Sequence, residues 1–353
     1  MAALALVSYR LGGGDGVAIE SAKWIAALES LGHEVTTLAG EGRADHLIAG
    51  LSLSDDHGPT SRDLEVLARV DLTIVENVAS LPLNPSARDA LYAALAGRRA
   101  IFHHHDLPWQ RPHLAHLEGP RDESGWLHVT INELSRRQLA ERGILATTMY
   151  NSFDCDPPAG QRHETRERLD VARDERLVLL PSRALVRKNV PGAIRLCEEL
   201  GATLWLLGPA EDGYGDELTR VLARSTAHVL HRGLEGASIH DAYAACDAVV
   251  MSSTWEGFGN PVLESVTHRR PLALHPYPVA EEIRGVGFTF FDLGDVAGLS
   301  AFLDEPDEGV VDANLALARR HFNLANLPGA LEGLLASAGV TSPASLGQQL
   351  GSR

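Results

Sequence analysis

Short apolar runs alternate with stretches of helical periodicity along almost the whole chain. Residues 3–9 read as a buried strand, a glycine-rich turn follows, and 17–31 carry apolar positions at helical spacing up to a stop at Gly32. Further strands are predicted at 34–39, 71–76, 99–103 and 127–131, with helices at 86–96 and 133–142. The pattern breaks at Tyr150-Asn-Ser-Phe-Asp-Cys-Asp-Pro-Pro, and a second series begins after the charged stretch 162–176. Its predicted strands are 177–181, 203–207, 228–231, 248–252 and 271–274, and its helices 191–200, 216–223, 239–246 and 261–268. From about 315 the chain is helical again to Gly339 and then polar. This rhythm predicts an α/β protein of two Rossmann-like domains, each with a mostly parallel sheet, facing each other across a central cleft. The expected divisions are a first domain at 1–152, a linker at 153–175, a second domain at 176–320 and a helical tail at 321–353.

Composition narrows the functional classes. The length of 353 residues suits two domains, and no run approaches the roughly 18 apolar residues of a membrane helix. The opening Met1-Ala-Ala-Leu-Ala-Leu-Val7 has neither a basic start nor a cleavage site, so it reads as the first strand. Cys155, Cys197 and Cys246 lie far apart without a CxxC pair, so a cytoplasmic setting without disulfides is expected. A formal net charge of −16 argues against nucleic acid and against anionic lipid as partners. An anionic ligand must then be held by a few local cations and by backbone amides. Of 31 basic residues only Lys23 and Lys188 are lysines, which singles those two out for specific tasks.

The residues that carry chemistry follow predicted strands. Trp255-Glu256-Gly257-Phe258-Gly259-Asn260-Pro261-Val262-Leu263-Glu264 opens a helix, with Asn260 as the expected N-cap and Pro261 as the first helical residue. The N–H groups of Val262 and Leu263 would then point at an anion, while Gly257 and Gly259 let backbone approach a ligand. Glu256 suits sugar hydroxyls and Glu264 the two hydroxyls of a ribose. The plainer reading is a tight turn with Glu264 complementing the helix dipole. Pro181-Ser-Arg183-Ala-Leu-Val-Arg-Lys188-Asn189 places two cations, Arg183 and Lys188, after another strand, fit to neutralise a diphosphate or to make a solvated basic loop. Gly12-Gly-Gly14-Asp-Gly16 follows the first strand but departs from GxGxxG, since Val17 stands where the third glycine belongs. In His103-His104-His105-Asp106-Leu-Pro-Trp109-Gln-Arg111, adjacent histidines alternate in direction, so they are expected not to converge on a metal ion. One histidine would meet substrate, with Trp109 and Arg111 lining an acceptor pocket.

Together these motifs resemble the retaining glycosyltransferases of the GT-B fold, glycosyltransferase family 4. The resemblance covers nearly the whole chain: the glycine loop with Leu-Gly-His-Glu-Val, His-Asp-Leu at 105–107, Tyr150-Asn-Ser-Phe-Asp154, Arg183 with Lys188-Asn189, and the E-x7-E pair Glu256 and Glu264. It implies that the first domain takes the acceptor and the second the nucleotide sugar. Arg183 and Lys188 would hold the donor diphosphate, Glu256 the donor sugar, Glu264 the ribose, and the backbone of Gly257, Phe258, Gly259, Asn260, Val262 and Leu263 the sugar and phosphates. Arg232 and Gly233 would lie near the base, and Gly14 and Gly16 near the donor. His105 would sit near the transferred sugar, although His103 or His104 could take that place, and His104, Asp106, Trp109 and Arg111 would face the acceptor. The implied chemistry is hexosyl transfer from a UDP- or GDP-sugar to a hydroxyl of a soluble acceptor, with retention, same-face attack, no metal and no other cofactor.

Three other readings fit parts of the pattern. A GT-B sugar-nucleotide epimerase would act without an acceptor, and a phosphorylase would need cofactor machinery that is not found here. An NAD-dependent Rossmann enzyme would need a clean GxGxxG and an acidic residue about 20 positions on. A non-catalytic sugar-nucleotide binder would not require Arg183, Lys188, Glu256 and Glu264 together.

Overall fold

The computed structural model describes residues 1–341. Among the described residues the chain forms two compact units, one of Met1–Ser152 with the residues from Leu324 on and the other of Phe153–Asn323. In the first, the strands β1 (Ala3–Leu11), β2 (Glu34–Gly42), β3 (His46–Leu47), β4 (Leu72–Glu76), β5 (Ala100–His104), β6 (Trp126–Thr130) and β7 (Ala146–Thr148) make one parallel sheet in the order β3-β2-β1-β4-β5-β6-β7. Its helices are α1 (Gly16–Ser30), α2 (Pro85–Leu95) and α3 (Glu133–Ala140). The central strands are buried along nearly their whole length, as suits a parallel sheet covered on both faces. Each helix starts at a side-chain cap: Asp15 accepts from Val17 and Ala18 N–H, Asn84 from Ala87, and Asn132 from Ser135.

The second unit holds β8 (Leu177–Leu180), β9 (Thr203–Leu206), β10 (Val229–His231), β11 (Ala248–Met251), β12 (Leu272–Leu274) and β13 (Phe291–Asp292), again parallel, in the order β10-β9-β8-β11-β12-β13. Its helices are α4 (Arg162–Leu169), α5 (Val190–Leu200), α6 (Gly215–Leu222), α7 (Ile239–Ala245), α8 (Asn260–Thr267), α9 (Pro278–Arg284), α10 (Val296–Asp304) and α11 (Glu308–His321). The expected strands and helices are present within a few residues. The short strands β3, β7 and β13 and the helices α4, α9 and α10 were not foreseen.

The ends of the units differ from the sequence-based division. The stretch expected as a linker belongs to the second unit, because α4 is anchored there. Buried Arg166 donates to the carbonyls of Ala245 and Ala172 and contacts Asp247, and Arg162 pairs with Asp247 at 2.5 Å. The tail is not separate either. Helix α12 (Leu327–Ser337) buries Leu327, Leu331, Leu334 and Leu335 in one core with Trp24 and Leu28 of α1. The polar tail beyond Thr341 lies outside the described residues.

In each sheet the strand order reverses once, between β1 and β4 and between β8 and β11. Open α/β sheets bind ligands beyond the carboxyl ends of the strands at such a reversal.

Candidate functional site

The loops leaving β8 and β11 are stitched together in the second unit. Ser252 Oγ donates to the Lys188 carbonyl at 2.7 Å, and Thr254 N–H donates to the Arg187 carbonyl at 2.8 Å. On this frame Lys188 Nζ lies 2.5 Å from Glu256 Oε1 and Arg187 Nη1 2.6 Å from Glu256 Oε2. Arg187 also donates to the Trp255 carbonyl. Lys188 and Glu256 are both buried. Burial alone would raise the Glu256 carboxyl, and the charges of Lys188 and Arg187 reverse this and hold it below its ordinary value. Lys188 is pushed below its ordinary value by burial, against the pull of Glu256. Two cations on one carboxylate leave a local surplus of positive charge.

Arg183 differs from its neighbours. Its guanidinium is exposed and pairs with Glu211 at 2.6 Å. Its backbone is packed so closely on Gly208 that a Cβ there would come within 2.6 Å of it. Arg232, after β10, pairs with Glu235, while its carbonyl accepts from Trp205 Nε1 at 2.9 Å; Gly233 beside it is exposed. Arg187 was not anticipated from the sequence, although it stands beside Lys188 in the same motif.

The start of α8 corrects the sequence reading. The N-cap is Gly259, with φ +90°, so Asn260 is the first helical residue. The Val262 N–H, expected to be open, donates to the Gly259 carbonyl at 2.8 Å. Glycine is required at 259 by its φ and by contact, since a Cβ would lie 2.2 Å from Tyr277 Oη. That hydroxyl donates to the Phe258 carbonyl at 3.1 Å and so shapes the Gly257–Gly259 loop. On α8, Glu264 accepts from Tyr243 Oη at 2.7 Å, and the buried Tyr243 stacks on His268. Tyr243 was likewise absent from the sequence reading, since nothing local links positions 243 and 264.

In the first unit the three histidines divide. His104 directs its ring to Ser80 Oγ at 2.6 Å and His128 Nδ1 at 2.9 Å, so both its nitrogens are engaged and it is not open to an acceptor. His103 and His105, two positions apart, turn the same way and meet Glu76, contrary to the expectation that the run would not converge. Alternation separates neighbours but brings i and i+2 to one side, and Glu76 is the ladder partner of His103 on β4. Glu76 Oε2 lies 3.0 Å from His103 Nδ1 and 2.8 Å from His105 Nε2, and all three residues are buried. The three facing ligand-type atoms lie within 4.8 Å of one another. Burial would raise Glu76, but the two imidazoles hold it down to about 2. Burial lowers His103 in spite of Glu76, whereas at His105 the bond and charge of Glu76 outweigh burial and raise it. Trp24 stacks on His103 with ring centroids 4.1 Å apart.

The remaining expected acceptor residues are partly committed to each other. Arg111 pairs with Asp106 at 2.7 Å. Trp109 donates to Gln138 at 2.9 Å, carries the Arg142 guanidinium 3.8 Å over its ring and packs against Gly119. The loop at 12–16 acts through Asp15 as the cap of α1, whose first residue is Gly16, while Gly14 is exposed and free of close packing. No described helix is long and apolar enough to cross a membrane.

Comparison with known proteins matches the second unit to a family and the whole chain to a fold. Residues 183–303 match the family model described as glycosyl transferases group 1, a span that holds Arg183, Lys188, Glu256 and Glu264. A mannosylglucosylglycerate synthase of Thermotoga maritima is 24% identical, over 92% of this chain and 97% of that protein. Among solved structures, Anabaena Alr3699/HepE in complex with UDP-glucose has a TM-score of 0.74 at 17% identity, covering 96% of this chain and 100% of that one. Sucrose-phosphate synthase from Thermosynechococcus elongatus has a TM-score of 0.72 at 12% identity, covering 96% and 99%. With two parallel-sheet α/β units, the chain has the GT-B fold of these solved structures, and residues 183–303, in its second unit, are similar to glycosyl transferases group 1.

Proposed function

We propose that the protein transfers a hexose from a UDP- or GDP-sugar to a hydroxyl of a small soluble acceptor, with retention of configuration and without a metal ion at the diphosphate. The observation that carries this reading is the pairing of Lys188 and Arg187 on Glu256 at the strand-order reversal of the second unit. Their surplus positive charge suits a diphosphate, and the fixed carboxylate suits sugar hydroxyls. Arg183 exchanges its exposed contact with Glu211 for the diphosphate, and Glu264, held by Tyr243, takes the ribose. The anomeric C–O bond to the diphosphate breaks through an oxocarbenium-like transition state. The acceptor oxygen forms the new bond on the same face, and its proton passes to the departing diphosphate. Preorganised cations favour this because negative charge grows on the leaving group.

The name of the Thermotoga maritima relative suggests a glycoside of glycerate as an acceptor to try, and the UDP-glucose in the HepE complex suggests a donor. A melting panel of UDP-, GDP- and ADP-sugars in EDTA, on wild type and Glu264→Ala, tests the donor assignment. A ligand at 100 times its Kd adds about 2.7 kcal/mol of stability, and the shift is expected for one nucleotide class in the wild type and weakly in the variant. Anomeric NMR of the product tests retention. A shift with NAD alone, or a donor that binds only when a metal is restored, would overturn the assignment.

A further inference from the structure

The first unit holds polar machinery that neither the family match nor the donor assignment uses. One buried carboxylate, Glu76, ends β4, a strand buried at every position, and lies beside the end of β5. The next residue, Asn77, leaves the strand in the left-handed region with φ +61°. That turn directs its side chain at the loop after β5, where Oδ1 accepts the backbone N–H of both His105 and Asp106 at 3.1 Å. Two successive residues thus fix His105, Asn77 by its backbone and Glu76 by its ring.

We propose that Glu76 is a positioning residue for glycosyl transfer: its carboxylate takes the Nε2–H of His105 and leaves Nδ1 as the one ring nitrogen that can meet the substrate. The inference rests on the reading that His105 meets the transferred sugar. The carboxylate has no proton to give, so the 2.8 Å contact fixes the tautomer as Nε2–H. No hydrogen bond among the described residues engages His105 Nδ1. His103 serves the same arrangement. Its Nδ1–H is the second donor to Glu76 Oε2, which keeps the carboxylate from rotating, and its ring is clamped under Trp24. A fixed tautomer on a fixed backbone is what a group acting on one sugar atom needs, since catalysis is sensitive to small displacements of the reacting partners.

Nitrogen-15 histidine NMR of the wild type, with His105 assigned by loss of its signals in His105→Asn, reads the tautomer without any activity assay. A single Nε2–H form is expected in the wild type and a mixed or Nδ1–H form in Glu76→Gln. Turnover is read as hydrolysis of UDP-glucose or GDP-mannose, whichever binds. In folded Glu76→Gln, kcat is expected to fall at least about tenfold, within the roughly 10²–10⁴-fold contribution of a positioned acid or base. The donor KM is expected to stay within about twofold, because Lys188, Arg187, Glu256 and Glu264, which are proposed to hold the nucleotide and diphosphate, lie in the other unit. A wild-type Nδ1–H tautomer overturns the proposal, as does stoichiometric metal in the purified enzyme that Glu76→Gln releases. Loss of turnover in His105→Ala but not in Glu76→Gln overturns it alone. Full turnover in His105→Ala overturns the underlying reading of His105 as well.

Discussion

The carboxyl ends of the two sheets solve different problems with similar parts. At the β4–β5 edge one buried carboxylate meets two imidazoles, and what the cluster presents depends on where a proton sits. At the β8–β11 edge one buried carboxylate meets a lysine and an arginine, two cations drawn to one anion. The first arrangement can shift a proton between its members, whereas the second gathers two cations around one carboxylate. The difference shows that burial of a carboxylate says little about its use until the titration range of its partners is known.

The largest expected effect breaks the two-cation side. If Lys188 holds the leaving group as proposed, Lys188→Met is expected to lower kcat by about 10²–10³-fold, the loss typical of one preorganised donor. Steady-state turnover checks it, and Arg183→Ala, which removes only an exposed pair, should cost about 1 kcal/mol of stability or less. The proton-dependent side is broken by Glu76→Gln, through stability. A carboxylate with a depressed pKa stabilises the fold above its unfolded value of about 4.5, and this is lost as pH falls toward about 2. The gap in unfolding free energy between wild type and variant is therefore expected to be up to about 3 kcal/mol near neutrality and to narrow over that window. Chemical denaturation across pH measures it, and a gap that widens on acidification would contradict the assignment.

The backbone of the Gly257–Gly259 loop gives a smaller effect. Gly259→Ala is expected to cost about 1–3 kcal/mol, from a non-glycine residue held at positive φ and from contact with Tyr277. Tyr277→Phe in the same chain should return part of that loss, because it deletes the oxygen the new Cβ meets, and thermal melts of the single and double variants compare them. Smallest is Tyr243→Phe, which removes a hydrogen bond to the Glu264 carboxylate. Such a bond contributes about 1.5–3 kcal/mol at most, and about tenfold weaker nucleotide binding with unchanged kcat is expected by calorimetry.

Both lysines pair with buried carboxylates. Lys23 pairs with buried Glu20 at 2.9 Å and also donates to the Ser152 carbonyl, at the point where the chain leaves the first unit. Lys188 pairs with buried Glu256. Composition could mark these two residues, but it could not name their partners, which lie on other segments.

Local features are legible in the residues alone. Strand and helix positions follow from apolar periodicity, the parallel βα order from their alternation, and the Arg183, Lys188, Glu256 and Glu264 motifs from residues a few positions apart after strands. What only the tertiary structure decided depends on register and packing between distant segments. Pairing of β4 with β5 brings Glu76 to His103 and His105 across 27 and 29 positions, and it separates His104 from them. Packing of α7 on α8 gives Glu264 its tyrosine, and the apolar face of α12 returns the tail to the first core. Periodicity reports which face of an element is buried, but the partner on that face is chosen by the whole sheet.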